Sequence, residues 1–179
     1  MITKNFKNLL ASFLAASGGA TNGYLPVKGV NGTTYYVAAY LNDGFPRAVT
    51  AGFTNTAANA GISVGRGTTA ATEDDYQLES PITSGLSGTL NRTIALDENG
   101  NQFVRYDLIL TNSTNSDITV GEIGYKQQIR ATTAQGATTS NNLYVCLIDR
   151  TVLTTPVTIA AGDYAVIRYT LKTVINVGE

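Results

Sequence analysis

Of the residues able to do chemistry, the stretch Ile62-Ser-Val-Gly-Arg-Gly-Thr-Thr-Ala70 is the first to test, because it carries the G-x-G-x-x-A spacing of a dinucleotide-binding loop. Such a loop needs a strand before it and a long helix after it, so that backbone N–H groups and the helix N-terminus receive the pyrophosphate. Here it runs into Thr72-Glu73-Asp74-Asp75, which sets three carboxylates where phosphate would lie. Coulomb repulsion and the lack of a parallel-sheet pattern argue against a nucleotide. The residues instead predict a sharp turn or bulge at Gly65 and Gly67. Thr72 then caps a single helical turn through Asp75, and Tyr76, Leu78 and Ile82 anchor that turn to the core.

The same acids, Glu73, Asp74 and Asp75, form a weak calcium candidate, since hard cations prefer carboxylate oxygen. A helix dipole explains acids at a helix start equally well. Asp97-Glu-Asn-Gly-Asn101 also has oxygens at the first, third and fifth positions of a calcium loop. It has Gln102 at the sixth and Leu108 at the twelfth, so a hairpin turn is the better reading. No metal and no cofactor is expected. There is no histidine, which removes Ser-His and Cys-His triads and the commonest general base. Nothing selects a catalytic pair among the 13 Asp and Glu. The single cysteine, Cys146, excludes an internal disulfide and sits in the apolar run Leu143–Ile148, as a small buried hydrophobe would. Asp149-Arg150 reads as a structural ion pair or an interface contact. The chain is expected not to be an enzyme.

A chain of 179 residues suffices for one good core or one domain with a substantial arm. The formal charge of -1 gives no general attraction for nucleic acid or an anionic membrane. Charged residues are only 14 % of the chain, against about 25 % in an average soluble domain. A Thr-, Asn-, Gly- and Ser-rich surface of that kind suits a protein packed against neighbours.

The N-terminus has the look of a signal peptide, with Lys4 and Lys7 before a short apolar stretch, yet that stretch is far too short to span a bilayer. Ile2, Phe6, Leu9, Leu10 and Phe13 recur at helical spacing, with Lys4, Asn5, Lys7 and Asn8 away from them. This predicts an amphipathic helix over 2–16, ended by Gly18-Gly19. Its apolar face is an interface candidate, to be covered by its own domain, by another copy or by a different protein. Asn31-Gly32 predicts a β-ribbon over 24–41, and 42–61 reads as a loop or arm.

From about Gly85 the pattern alternates. Leu90, Ile94 and Leu96 lead to the turn at 97–100, and Val104, Tyr106, Leu108 and Leu110 follow it. Strands are then expected at 118–125, 143–148, 157–159 and 164–174, with Pro156 at an edge or strand start. The expected fold is mainly β: an antiparallel β-sandwich, immunoglobulin-like or jelly-roll-like, with an N-terminal amphipathic helix and extended arm. Residues 1–60 form the anchoring or oligomerisation arm and 61–179 the sandwich. The sequons at Asn31, Asn91 and Asn112 are chance matches in a Thr-rich chain.

The segments VGRGTTAATEDDYQLESPI at 64–82, ITVGEIGY at 118–125 and LIDRTVLTTPVTIAAGDYAVIRYTL at 147–171 together resemble a family of small structural proteins of tailed bacteriophages and prophages. The resemblance covers roughly residues 60–175. It implies a virion component with no catalytic residues. The expectation is a capsid-decorating or head or collar appendage protein, assembled in the bacterial host cytoplasm. Its partners would be capsid, portal or tail proteins and further copies of itself, without nucleic acid or membrane insertion. The alternative is a tail-associated module that binds a host-surface glycan or protein, with which ten tyrosines are compatible and the absence of Trp is not.

Overall fold

A computed structural model of the chain describes residues 1–14, 24–38, 53–56, 59–98, 100–131, 133 and 142–172. The switch from helical to alternating periodicity falls where the sequence places it. The helix α1 spans Lys4–Leu14, and eight strands follow: β1 Tyr24–Lys28, β2 Thr34–Ala38, β3 Gly61–Gly65, β4 Leu86–Leu96, β5 Gln102–Asn112, β6 Ile118–Ala131, β7 Asn142–Ile159 and β8 Tyr164–Lys172.

All strand pairs are antiparallel. β1 and β2 form a ribbon, β3-β6-β7 a first sheet and β4-β5-β8 a second. The turns follow from residues able to take a left-handed backbone. Gly32 (φ 79°), Gly100 (φ 78°) and Gly162 (φ 75°) sit at the ribbon, the β4–β5 turn and the β7–β8 turn. At the β4–β5 turn the Asp97 side chain accepts from the Asn101 N–H at 2.9 Å, so the oxygen-rich stretch closes a hairpin on itself.

The two sheets pack face to face. Ile62, Val64, Val120, Ile123 and Ile159 of the first meet Leu86, Tyr106, Leu108, Leu110, Ile167 and Tyr169 of the second in one buried cluster. This is the expected antiparallel β-sandwich, with six strands in its two sheets among the described residues. A second cluster lies where β6 and β7 outrun the sandwich. There Ile129, Ala131, Cys146 and Ile148 receive Val27, Tyr35 and Val37 of the ribbon, with Tyr35 stacked on Tyr144 at 3.6 Å.

β7 departs from the sequence reading. Residues 143–148 and 157–159, expected as separate strands, belong to one strand of 18 residues. Its ladder with β6 is interrupted between Val120 and Glu122, where Gly121 stands opposite Leu153–Pro156, and again at Ile148. The first interruption takes Pro156 out of the ladder, where its missing N–H costs nothing. The expected helical turn at 72–75 is a hydrogen-bonded turn instead, closed by Asp75 N–H donating to the Thr72 carbonyl at 3.3 Å. The helix reading is met over Lys4–Leu14; its proposed end at Gly18-Gly19, the ribbon beyond residue 38 and positions 42–52, 57 and 58 of the arm expected at 42–61 lie outside the described residues, while Phe53 of that arm bridges Ile62 and Gly61 opens β3.

Candidate functional site

β3 ends at Gly65, and the chain then crosses the outer face of the first sheet before returning to the edge of β3. Arg66 N–H donates to the Ser80 carbonyl at 2.7 Å and Ile82 N–H to the Val64 carbonyl at 2.9 Å, and Gly65 and Pro81 form a bridge. Leu78 is buried beneath the crossing against Gly124, and Ile82, at its end, is buried in the core cluster between the sheets. Tyr76 is only half-buried and carries the Lys28 ammonium 3.9 Å from its ring centre.

Under this crossing lies Glu122, fully buried. Its carboxylate accepts from Gly67 N–H (3.2 Å), Glu79 N–H (3.1 Å), Ser80 N–H (2.8 Å) and Arg150 Nε (2.7 Å). The glycine loop is therefore an anion cradle whose anion is the chain's own. A Cβ at Gly65 would stand 2.3 Å, and at Gly67 2.6 Å, from Glu122 Oε1, so any larger residue there displaces the carboxylate.

Arg150 completes the knot from β7. Besides Glu122, its guanidinium donates to Asp75 (2.9 Å), Glu79 (3.2 Å) and the Thr69 carbonyl (3.2 Å), and its side chain is 3 % exposed. Asp149 is not its ion-pair partner. One arginine faces three carboxylates, and the surplus negative charge is met by dipoles rather than cations. The Thr72 N–H and hydroxyl donate to Asp75, and those of Thr69 to Glu79. At Asp75 burial opposes ionisation, yet the Thr72 and Arg150 hydrogen bonds outweigh it and the pKa is lowered. Glu79 is also lowered, chiefly by the Thr69 hydroxyl.

Asp149 faces the opposite side of the sheet. It accepts from the Tyr169 hydroxyl and from Thr151 Oγ1 at 3.0 Å, and it lies 3.1 Å from the α-amino group of Met1. Residues 1–3 lie against β7 like a short strand: Arg150 N–H donates to the Met1 carbonyl and Thr3 N–H to the Ile148 carbonyl, both at 3.1 Å. α1 then docks by its polar side. Buried Asn5 accepts from Lys28 N–H (2.6 Å) and donates to the carbonyls of Lys28 (2.8 Å) and Leu147 (3.1 Å), stitching β1 to β7. Asn8 donates to the Pro26 carbonyl.

Of the apolar interface candidates whose side chains are described, Leu9 alone packs on the second cluster. Ile2 is 42 %, Phe6 37 % and Leu10 45 % exposed, and the Phe13 side chain lies outside the described residues. The calcium candidates diverge to three separate cations: Glu73 to Lys7, Asp74 to Lys4 and Asp75 to Arg150. Among the described residues no group of three His, Cys, Asp or Glu could hold a metal ion. Cys146 is fully buried, and burial pushes its thiol up to about 12, far from a working nucleophile.

A shallow depression of about 520 Å³ opens beside Thr68, Ala70 and Thr151, but the one charged side chain on its wall, Arg150, has its donors turned into the knot. Sequence reasoning missed Glu122, Glu79 and the buried Lys126. The available signal was a charge inside an otherwise apolar strand: Glu122 between Gly121 and Ile123, and Lys126 after Tyr125. No family model, no curated protein and no solved structure matches the chain.

Proposed function

We propose that this chain is a non-enzymatic structural component of a tailed-phage virion, a capsid-decorating or head or collar appendage protein that assembles through its N-terminal arm. One observation carries the assembly part. α1 is fixed to the domain by its polar side, through Asn5 and Asn8, while Ile2, Phe6 and Leu10 face outward. A helix that only completed its own core would turn those residues in.

The phage part rests on the three resembling segments. They are far apart in sequence and meet in one place, since Gly67, Glu79 and Asp75 come from the first, Glu122 from the second and Arg150 from the third. That junction is a scaffold, because its acids and its arginine are bound to one another and none is presented to a substrate. The test is mass spectrometry of purified particles from a host expressing the chain. Stoichiometric copies on the head support the proposal, copies on tails alone favour the tail-associated alternative, and particles without it refute a virion role.

A further inference from the structure

We infer that the outward stripe of α1 is the contact between two copies of this chain, which pair about a two-fold axis with their α1 helices antiparallel. This rests on the assembly reading above and names its partner. The stripe consists of Phe6 and Leu10 on α1 and of Met1 and Ile2 in the strand-like segment that leads into it, of which Met1 is the most exposed at 57 %. Asn5, Asn8 and Thr3 hold the helix in place from the other side, so the stripe is presented rigidly rather than waiting to fold inward.

The charges beside the stripe select the occupant. Lys4 pairs with Asp74 at 2.6 Å and Lys7 with Glu73, and all four side chains are solvent-accessible. The band therefore holds two cations and two anions. An anionic bilayer or a nucleic acid selects a surplus of Lys and Arg, which this band lacks. A copy of the same surface needs each sign matched by the other, and a two-fold axis across Phe6 lets Lys4 and Lys7 of one copy face Glu73 and Asp74 of the next. Four partly exposed side chains amount to a patch of a few hundred square ångströms, which puts the paired area below the ~1,200 Å² of stable interfaces, in the range of weak, transient contacts. The dimer is accordingly weak in dilute solution, with a Kd in the micromolar range or above, and fills only where copies are concentrated on a surface.

Sedimentation velocity over micromolar to millimolar concentrations tests this on the full chain, beside the double variant Phe6→Glu/Leu10→Glu. The expected result is a monomer–dimer equilibrium for the parent and a monomer for the variant, with the same thermal melt by circular dichroism because both side chains are exposed. Cysteines introduced one at a time into a Cys146→Ala background then test the axis. Phe6→Cys should oxidise to a disulfide with itself, and Ile2→Cys should cross-link to Leu10→Cys in a mixture but not to another Ile2→Cys. A parent that stays monomeric throughout, a variant that still dimerises, or the opposite cross-linking pattern overturns the proposal. So does flotation of the monomer with phosphatidylserine vesicles without self-association. A monomer in solution leaves the particle assay untouched, and particles lacking the chain leave the dimer untouched, so the two readings fail separately.

Discussion

Replacing Glu122 by Gln changes one atom and removes one charge, which makes it the sharpest probe of the buried knot. Oε1 receives Gly67 and Ser80 N–H, and Oε2 receives Glu79 N–H and Arg150 Nε. Whichever way the new amide turns, its NH2 group points at two donors, and both lose their acceptor at a side chain that is fully buried. Each orphaned buried donor costs about 1–3 kcal/mol, and removing one member of a buried ion pair costs about 3–5 kcal/mol in comparable cases. Asp75 and Glu79 still hold Arg150 and limit the loss, so we expect Glu122→Gln to cost about 3–5 kcal/mol. In a chain of this length that lowers Tm by roughly 10 °C or more. Paired urea and thermal denaturation, with fluorescence and far-ultraviolet circular dichroism, would measure it. A loss under about 1 kcal/mol would refute the argument that this carboxylate organises the crossing segment.

Three further outcomes are expected. Gly65→Ala puts a Cβ 2.6 Å from the Ser80 carbonyl as well as against Glu122, so it should cost about 1–3 kcal/mol or more by denaturation, whereas Gly100→Ala, with open space around it, should lose only the small strain of its positive φ. Asp75 and Glu79 have lowered pKa values in the folded state, so their stabilisation is present above the ordinary carboxylate range and is lost as pH falls through the folded values. Denaturation midpoints should therefore fall below about pH 4, less steeply in Asp75→Asn. Burial pushes the Lys126 ammonium down to about 8, so the unfolded chain binds the extra proton above that pH and stability should rise between pH 8 and about 9, beyond which the Cys146 thiol, kept protonated by burial, offsets the gain. Lys126→Met should abolish that rise and stabilise the protein at neutral pH by up to about 3 kcal/mol.

Local turn chemistry is what the sequence makes legible. Asn31-Gly32, Asp97–Gly100 and Ala161–Asp163 each close a hairpin where their residue types require it, and alternation over 104–110 places Tyr106, Leu108 and Leu110 inside. The knot was not legible, because Glu122, Arg150 and the 66–80 segment meet only after β6 and β7 pair, and no spacing along the chain records that. The sequence predicts a sharp turn or bulge at Gly65 and Gly67; in the structure neither takes a positive φ, and what requires glycine at both is the close approach of Glu122, which lies 55 residues from Gly67. The amphipathic pattern of α1 leaves open which way its apolar face turns, and what turns the polar side to the domain is Asn5, whose three hydrogen bonds to β1 and β7 are not written in helical periodicity. Asn112, in a nominal sequon, is fully buried and spends its amide on the carbonyls of Ser116, Ile159 and Ala160, which closes it to any modifying enzyme in the folded state.

The short backbone pairing of Met1–Thr3 with β7 bears on how the protein keeps from polymerising. A sheet rim with unpaired N–H and C=O groups is a template for another chain. In the first sheet one rim is occupied at β3 by Ser80–Ile82, and the other at β7 by the N-terminal residues, with a bulge and Pro156 interrupting the remainder. The second sheet has β4 and β8 as its outer strands, and there Arg92 on β4 and Arg168 on β8 stand exposed as charged gatekeepers. Fibrous growth, if driven by heat or acid, would thus start at β4 or β8, and deleting residues 1–3 would add a third starting point at Ile148–Arg150.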